Sequence, residues 1–381
     1  MVRSRALVKI LHFADLHLDC SFAGVGMASS EASRRREELR SVLRRIVDLA
    51  LERNIDAVTV GGDLYEHDRV TLDTGRFIVS QFERLAPRPV LIAPGNHDRY
   101  VPDSLYRRLD WPGNVHIFDS MQWQPVAVAD GVAVWGVGHN SPAVRDNLLR
   151  DLQLDRSETA IALLHGSDVS AVPERKAAHC PFEVRDVEGC GAAFVLLGHY
   201  HGMRLFPADS PLYGYPGNPE PLGFHEEGPH YVLLLSVGEH STTAEPVQIN
   251  EVSYRTERID VAGMSTSNQV RETIARLAGE SSPAPDIVRV LLVGQAEPEL
   301  DIDVAGLLSA TAERFRYLEI ADQTQAAFNL EEMREEATTR GAFVRLMQER
   351  IDRAQGAEKE ILENALRYGL QAFSGQEVRP R

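Results

Sequence analysis

Lysine is scarce in this 381-residue chain: Lys9, Lys176 and Lys359 are the only lysines among 40 basic residues. Arginine forks suit phosphate, but a composition bias accounts for the same skew, and we read it that way. Cysteine is scarce too. Cys20, Cys180 and Cys190 form no CxxC pair and no even framework, which excludes a disulfide scaffold and a thiolate metal site and fits a reducing compartment. No run of 18 apolar residues occurs, so no spanning helix is expected. Met1–Lys9 carries two arginines but neither a long apolar stretch nor a small-residue cleavage site, so no signal peptide is expected and the location implied is cytoplasmic. Internal repeats and low-complexity segments are missing. Positive net charge is missing as well: the chain carries −16, with the acidity spread over both halves. Phosphate backbones are gripped largely by Lys and Arg, so a tight unaided hold on nucleic acid is not expected.

What the chain does have is ordinary globular chemistry, 43% hydrophobic and 25% charged, and enough length for a full core plus a second domain. Apolar runs at Val8–Ala14, Ala57–Val60, Val90–Ala93, Ile161–Leu164 and Phe194–Leu197 read as buried strands. Leu18–Ser30 reads as a Gly/Ser-rich loop. Leu39, Val42, Leu43, Ile46, Val47 and Ala50 form one apolar face of a helix over Glu31–Arg53. Its other face holds Arg34, Arg35, Arg36, Arg40, Arg44 and Arg45, read as solvated with nearby glutamate partners. A second helix is expected over Leu72–Leu85. Short β-like runs follow at Val115–Phe118, Val126–Ala129 and Val132–Val137, then a helical stretch near Val144–Leu152. Residues 207–229 read as loop, and Tyr231–Val237 and Val247–Val252 as strands. This alternation argues for an α/β layered fold, a four-layer αββα sandwich. Beyond Arg255 the pattern restarts with helices at Gln269–Ala278 and Val304–Arg314 and strands at Ile287–Val293 and Tyr317–Ile320. It ends in two amphipathic helices, Gly341–Ala354 and Ala357–Phe373.

Five strand ends carry polar clusters: Asp15-Leu16-His17, Gly62-Asp63, Gly95-Asn96-His97-Asp98, His165-Gly166 and Gly198-His199-Tyr200-His201. Residues i and i+2 of an extended chain project the same way, so Asp-x-His and His-x-His can each address one ion. Asp15, His17, Asp63, Asn96, His165, His199 and His201 exceed what one ion holds. Two ions about 3.5–4 Å apart can share such a set, with Asp63 bridging. Carboxylate, imidazole and amide oxygen suit Mn²⁺, Fe or Zn²⁺, with Mg²⁺ also possible.

The order D-x-H, G-D, G-N-H-D, H, G-H-x-H resembles that of the calcineurin-like metallophosphoesterases. The Leu18-Asp19 after His17, the Tyr215-Pro216-Gly217-Asn218 segment and the chain's length resemble one branch, the SbcD-type and YhaO-like DNA repair exonucleases. The resemblance covers roughly residues 8 to 255. It implies a nuclease domain over 1–255, a smaller α/β capping domain over 256–335 and a helical segment over 336–381. It further implies that Asp15, His17, Asp63 and His201 hold one ion and Asp63, Asn96, His165 and His199 the other. His97 would contact the scissile phosphate and help the leaving oxygen, with Asp98 orienting it. The branch often has a second substrate-facing histidine three residues after the bridging aspartate. Here Glu66 stands there, a residue expected to repel phosphate, and His67 follows as the substitute expected to face substrate. His139, His179 and His225 have no motif support.

The function implied is Mn²⁺-dependent 3′-to-5′ exonuclease and endonuclease action on DNA in double-strand-break repair. The implied assembly is a homodimer with an SMC-like ATPase of the SbcC or YhaN kind. Two other readings compete: a phosphodiesterase of small nucleotides or simple diesters, and a binding module with a dead metal site. The first is weakened by some 120 additional residues, the second by the completeness of the ligand set.

Overall fold

The computed structural model describes residues 7–22, 29–155, 159–170, 178–239, 241–278, 286–297 and 300–373. Part of the loop expected over Leu18–Ser30, residues 23–28, lies outside them. Two compact units result, Met1–Tyr254 and Arg255–Arg381.

The first unit holds two six-stranded sheets. One is built from β1 (Val8–Phe13), β2 (Ala57–Val60), β3 (Val90–Ile92), β4 (Val115–Ile117), β11 (Tyr231–Val237) and β12 (Thr242–Gln248), in the order β12-β11-β1-β2-β3-β4. The other is built from β5 (Gln124–Ala129), β6 (Val132–Gly136), β7 (Thr159–His165), β8 (Phe194–Gly198), β9 (Arg204–Phe206) and β10 (Tyr213–Tyr215), in the order β5-β6-β7-β8-β10-β9. β1 to β4 run parallel, as do β6 to β8. Their carboxyl ends therefore lie along one edge of each sheet, where α/β folds place their chemistry. Ile10, Leu91, Val134, Ile161, Leu196 and Leu233 form a core shared by the two sheets. The expected αββα sandwich is what these strands build.

At the functional edge the sheets nearly touch. A Cβ on Gly198 would lie 2.1 Å from the Gly61 carbonyl oxygen, so neither position tolerates a side chain easily. Buried His12 spans the gap, its Nδ1 3.0 Å from Thr59 Oγ1 and its Nε2 3.1 Å from the Leu197 oxygen. Burial lowers its pKa to about 4, so it is a neutral tie between sheets.

Helix α1 (Ser29–Glu52) buries the apolar face read from the sequence. One expectation fails on its other face. Arg35 is fully buried, its Nη1 2.8 Å from Glu220 Oε1 and its Nη2 donating to the Pro221 oxygen at 2.8 Å. Glu38 lies against the same guanidinium, and the rings of Phe22 and Tyr254 flank it at 5.5 and 5.6 Å. Arginine's fork can satisfy several acceptors at once, which is why one position in six leaves the solvated face. Removing one member strands a buried charge, so Glu220→Ala should cost about 3–5 kcal/mol in the denaturant unfolding of the first unit. A loss under about 1 kcal/mol would contradict this.

Three other local expectations fail. Val144–Leu152 yields one 3-10 turn at Leu149–Asp151 in place of a helix. The proline-rich 207–229 stretch contains β10, whose existence depends on pairing with β8 and β9. The last strand of the first sheet is Thr242–Gln248 and not Val247–Val252. As an edge strand it accommodates Pro246, which weakened its strand signal. A short helix at Val184–Gly189 carried no signal in our reading.

The second unit has its own core. A three-stranded sheet of Ser253–Asp260, Asp286–Val293 and Tyr317–Asp322 packs Val288, Val290, Leu292 and Leu318 against Val270, Ile274 and Leu307 of two helices. Those helices are Ser267–Leu277, capped by Thr266, and Val304–Thr311. The last two helices, Thr339–Arg353 and Ala357–Phe373, share a separate cluster of Val344, Met347, Leu366 and Leu370.

Candidate dimetal centre

Each strand end delivers its residues through a backbone that departs from the strand. Asp15, His17, Asp63 and His199 all have positive φ, at 55°, 50°, 51° and 110°. Non-glycine residues adopt that region reluctantly, and such strain collects at functional sites. Gly95 lets the third loop come close: a Cβ there would sit 2.3 Å from Asp63 Oδ1.

Three groups of potential donors occur among the described residues; one is the hydrogen-bonded set His17, Glu66 and His97, and the other two hold residues named from the sequence. Asp15, His17 and His201 form one, with His17 Nε2 and His201 Nε2 3.2 Å apart. Asp63, His165 and His199 form the other, with His199 Nδ1 3.3 Å from His165 Nε2 and Asn96 Oδ1 3.0 Å from the same nitrogen. Asp63 Oδ2 lies 3.8 Å from His17 Nε2 and 3.4 Å from His165 Nε2, so one carboxylate oxygen reaches both groups. The structure thus gathers all seven residues named from the sequence. Imidazole nitrogens, carboxylate oxygens and an amide oxygen thus converge in two adjacent groups. The donor set therefore fits a pair of divalent ions.

Second partners fix the rings. His165 Nδ1 donates to the Gly61 oxygen at 2.8 Å, which turns Nε2 and its lone pair toward Asp63. Both Asp15 oxygens accept from the His199 backbone at 3.0 Å. Burial holds the His199 ring neutral, with its pKa lowered to about 3. Burial alone would raise Asp63, but the charges of His165, His17 and His97 pull it well below the usual carboxylate range. Glu66 Oε1 sits 2.7 Å from His17 Nδ1, and Glu226 Oε1 sits 2.5 Å from His201 Nδ1. Both are carboxylates on the far nitrogen of a candidate ligand histidine, an arrangement that orients the ring and raises its basicity. Sequence reasoning missed Glu226. The signal available was its place ten residues after Pro216, in the same loop as Asn218, whose amide donates to it at 2.7 Å.

Glu66 also corrects an expectation. Its Oε2 lies 2.9 Å from His97 Nδ1, so Glu66, and not Asp98, orients His97. The hydrogen bond that the His97 ring donates to Glu66 is the main cause of a His97 pKa pushed up to about 9. Glu66 itself, although burial opposes it, is drawn down to about 2 by the two histidines. In the metal-free chain the His97 ring should titrate near pH 9 by NMR. Glu66→Gln should bring it down toward about 6.5; an unmoved titration would remove Glu66 as the cause.

Asp98 is fully buried and turned away from that ring. It accepts from the backbone of Asp63, Leu64 and Gly95 at 3.0, 2.8 and 2.6 Å and from Tyr106 Oη at 2.6 Å. It ties the second and third loops together and so holds Asp63 in place. His67 is not gathered with the donors. Its Nε2 lies 3.5 Å from Asp103 Oδ2, and its backbone N–H donates to the His97 oxygen. His139 and His179, unassigned by sequence, hydrogen-bond each other behind His165, and burial keeps both neutral. His225 is an exposed ring 3.2 Å from Glu226.

The model of the calcineurin-like phosphoesterase family matches residues 8–203, a span that contains all seven donors. The chain belongs to that family. Members are dimetal phosphoesterases, so metal-dependent phosphoester hydrolysis follows from membership. Among its relatives is an uncharacterized metallophosphoesterase of Bacillus subtilis, YhaO, 28% identical over 346 residues, covering 84% of this chain and 83% of that one. Two others are named DNA double-strand break repair protein Mre11. The Archaeoglobus fulgidus protein is 22% identical over 82% of this chain and 73% of its own. The Saccharolobus solfataricus protein is 23% identical over 56% of this chain and 55% of its own. Among the described residues no helix is long and apolar enough to cross a membrane.

Proposed function

We propose that this metallophosphoesterase is a phosphodiesterase acting on DNA, a 3′-to-5′ exonuclease and endonuclease of double-strand-break repair. The observation that carries this reading is the match to proteins named for that repair across most of the chain, well beyond the metal motifs. In this reading the chain is a homodimer working with an SMC-like ATPase, and its net charge of −16 fits a division in which the ATPase supplies much of the hold on DNA.

Asp15, His17, Asp63 and His201 would hold one ion, and Asp63, Asn96, His165 and His199 the other, with manganese the metal proposed. A bound pair of divalent ions supplies a hydroxide nucleophile near neutral pH and neutralises charge on the phosphoryl group. The remaining work belongs to side chains. His97 is 44% exposed, with Nδ1 held by Glu66, so Nε2 faces outward as the proton donor for the leaving oxygen. Glu66 and Glu226 keep the ligand imidazoles aligned. Asp98 fixes the loop geometry on which Asp63 and His97 depend.

The test compares manganese-dependent cleavage of single- and double-stranded DNA, labelled at each end in turn, with hydrolysis of a chromogenic phosphodiester. Release of nucleotides from the 3′ end supports the reading. Turnover of the small diester with intact DNA would replace it with a small-molecule phosphodiesterase.

A further inference from the structure

The segment Tyr215-Pro216-Gly217-Asn218 contributes none of the seven candidate donors, yet its two ends reach the loops that carry both groups. It begins on β10, where Tyr213 and Tyr215 stand two residues apart and so project from one side of the strand. Tyr215 Oη donates to the Gly166 oxygen at 2.8 Å and accepts from the Asp168 N–H at 3.0 Å. Tyr213 Oη donates to Asp168 Oδ2 at 2.6 Å, and Tyr200 Oη donates to the Asp168 oxygen at 3.3 Å. Three hydroxyls therefore converge on the turn directly after His165. Tyr213, Tyr215 and Asp168 are fully buried, where an unmade hydrogen bond is costly, so the turn is closely held. The neighbouring loop is reached as well: the Gly166 N–H donates to the Gly198 oxygen at 3.2 Å, and the Tyr200 ring lies 4.9 Å from that of Tyr215 and 5.4 Å from that of His199. Tyr215 thus backs the group of Asp63, His165 and His199.

The far end of the segment serves the other group. The Asn218 N–H donates to the His201 oxygen at 3.2 Å, and Gly217 packs so closely that a Cβ there would sit 2.5 Å from the same oxygen. Asn218 is fully buried, and its Nδ2 donates to the Glu220 oxygen at 2.9 Å and to Glu226 Oε2 at 2.7 Å. Two acceptors on that nitrogen fix which way the amide faces. The Leu222 N–H donates to the same Glu226 oxygen at 2.7 Å. With Oε2 held by two donors, Oε1 is left to meet His201 Nδ1. The His230 ring closes the loop, its Nδ1 2.8 Å from the Asn218 oxygen and its Nε2 3.1 Å from the Glu226 oxygen.

We infer that Tyr215 and Asn218 are positioning residues, one for each ion. Tyr215 places His165 through the turn after it, and so serves the ion of Asp63, Asn96, His165 and His199. Asn218 places the His201 ring through Glu226, and so serves the ion of Asp15, His17, Asp63 and His201. The inference rests on the ligand assignment proposed above. Neither residue touches an ion; each acts through one hydrogen-bonded partner behind a histidine. Partners of ligand residues typically carry about 10- to 100-fold in metal affinity, and here each should carry it for one ion and not the other.

The experiment titrates the full chain with manganese by calorimetry, beside metal content and melting temperature. The variants are Tyr215→Phe and Asn218→Ala, each alone and in an Asn96→Ala background. Asn96 stands in one group only, so that background should keep the ion of Asp15, His17, Asp63 and His201. Tyr215→Phe keeps the ring and removes both hydroxyl bonds. Alone it should weaken one of the two ions about tenfold, and in the Asn96→Ala background it should leave the remaining ion unchanged. Asn218→Ala should weaken that remaining ion about tenfold. Turnover of bis(p-nitrophenyl) phosphate by either single variant should return toward the wild-type kcat in excess manganese, which a damaged fold would not allow. Wild-type affinity for both ions in Tyr215→Phe, or equal weakening of both, would overturn the inference and leave the ligand assignment standing; Tyr215→Phe alone decides this if Asn218→Ala does not fold. An unchanged remaining ion in a folded Asn218→Ala chain would overturn the role of Asn218. A wild-type chain that binds fewer than two ions, or an Asn96→Ala chain that binds two with wild-type affinity, would overturn the assignment itself.

Discussion

His97→Ala should keep two divalent ions per chain while turnover of a phosphodiester falls by about 10² to 10⁴-fold, the range that positioned proton transfer supplies. The expectation follows from where the ring sits. His97 is not one of the seven donors; its backbone N–H donates to Asp63 Oδ1 at 2.8 Å, and that bond survives the substitution. What disappears is the imidazole whose Nδ1 is held by Glu66 at 2.9 Å. The loss should depend on the leaving group. A nitrophenolate departs without a proton, so a nitrophenyl diester should suffer far less than DNA, whose leaving alkoxide needs one. Metal analysis beside kinetics on both substrates checks this. Equal losses on the two substrates would assign His97 a binding role in place of proton donation.

Asp63→Ala should be more severe. Asp63 Oδ2 is within 3.8 Å of a ring in one donor group and 3.4 Å of a ring in the other, so removing it strips a carboxylate from both. The loss also leaves His17, His165 and His97 without the negative charge they face. Metal content after manganese loading should fall well below one ion per chain, and turnover should fall to the uncatalysed background. Asp63→Asn is the sharper variant, because it keeps the shape and the backbone bonds to Asp98 while removing the charge. Retention of two ions by Asp63→Asn would mean that the carboxylate does not bridge. A folding defect is separable by melting temperature, since the Asp98 contacts to the Asp63 and Leu64 backbone remain when the Asp63 side chain is changed.

The convergence of the seven candidate donors was legible because metal chemistry constrains residue type and spacing together. A carboxylate two residues before an imidazole at a strand end leaves few other readings, and five such ends in order leave fewer. The strands were legible for a similar reason: the fully buried runs Ala57–Val60 in β2 and Phe194–Leu197 in β8 are short, continuous and β-branched or leucine-rich. The partners of the donors were not legible. Glu66 and Glu226 act through contacts 49 and 25 residues away in sequence, and motif spacing does not pair them with particular histidines. Arg35 shows the same limit, since its departure from the other arginines on one helix face is decided by Glu220, 185 residues on. Asp98 follows His97 directly, so adjacency suggested a dyad, whereas the turn points its carboxylate into the backbone of the neighbouring loop. β10 escaped because pairing with β8 and β9 creates it.

The measurement that tests the dimetal centre most directly is electron paramagnetic resonance of the manganese-loaded chain, read beside its metal content. Two ions per chain sharing the Asp63 carboxylate should give an exchange-coupled spectrum, with that coupling abolished in Asp63→Ala. Less than one ion per chain, or two ions with the signal of isolated manganese, would contradict the centre described above.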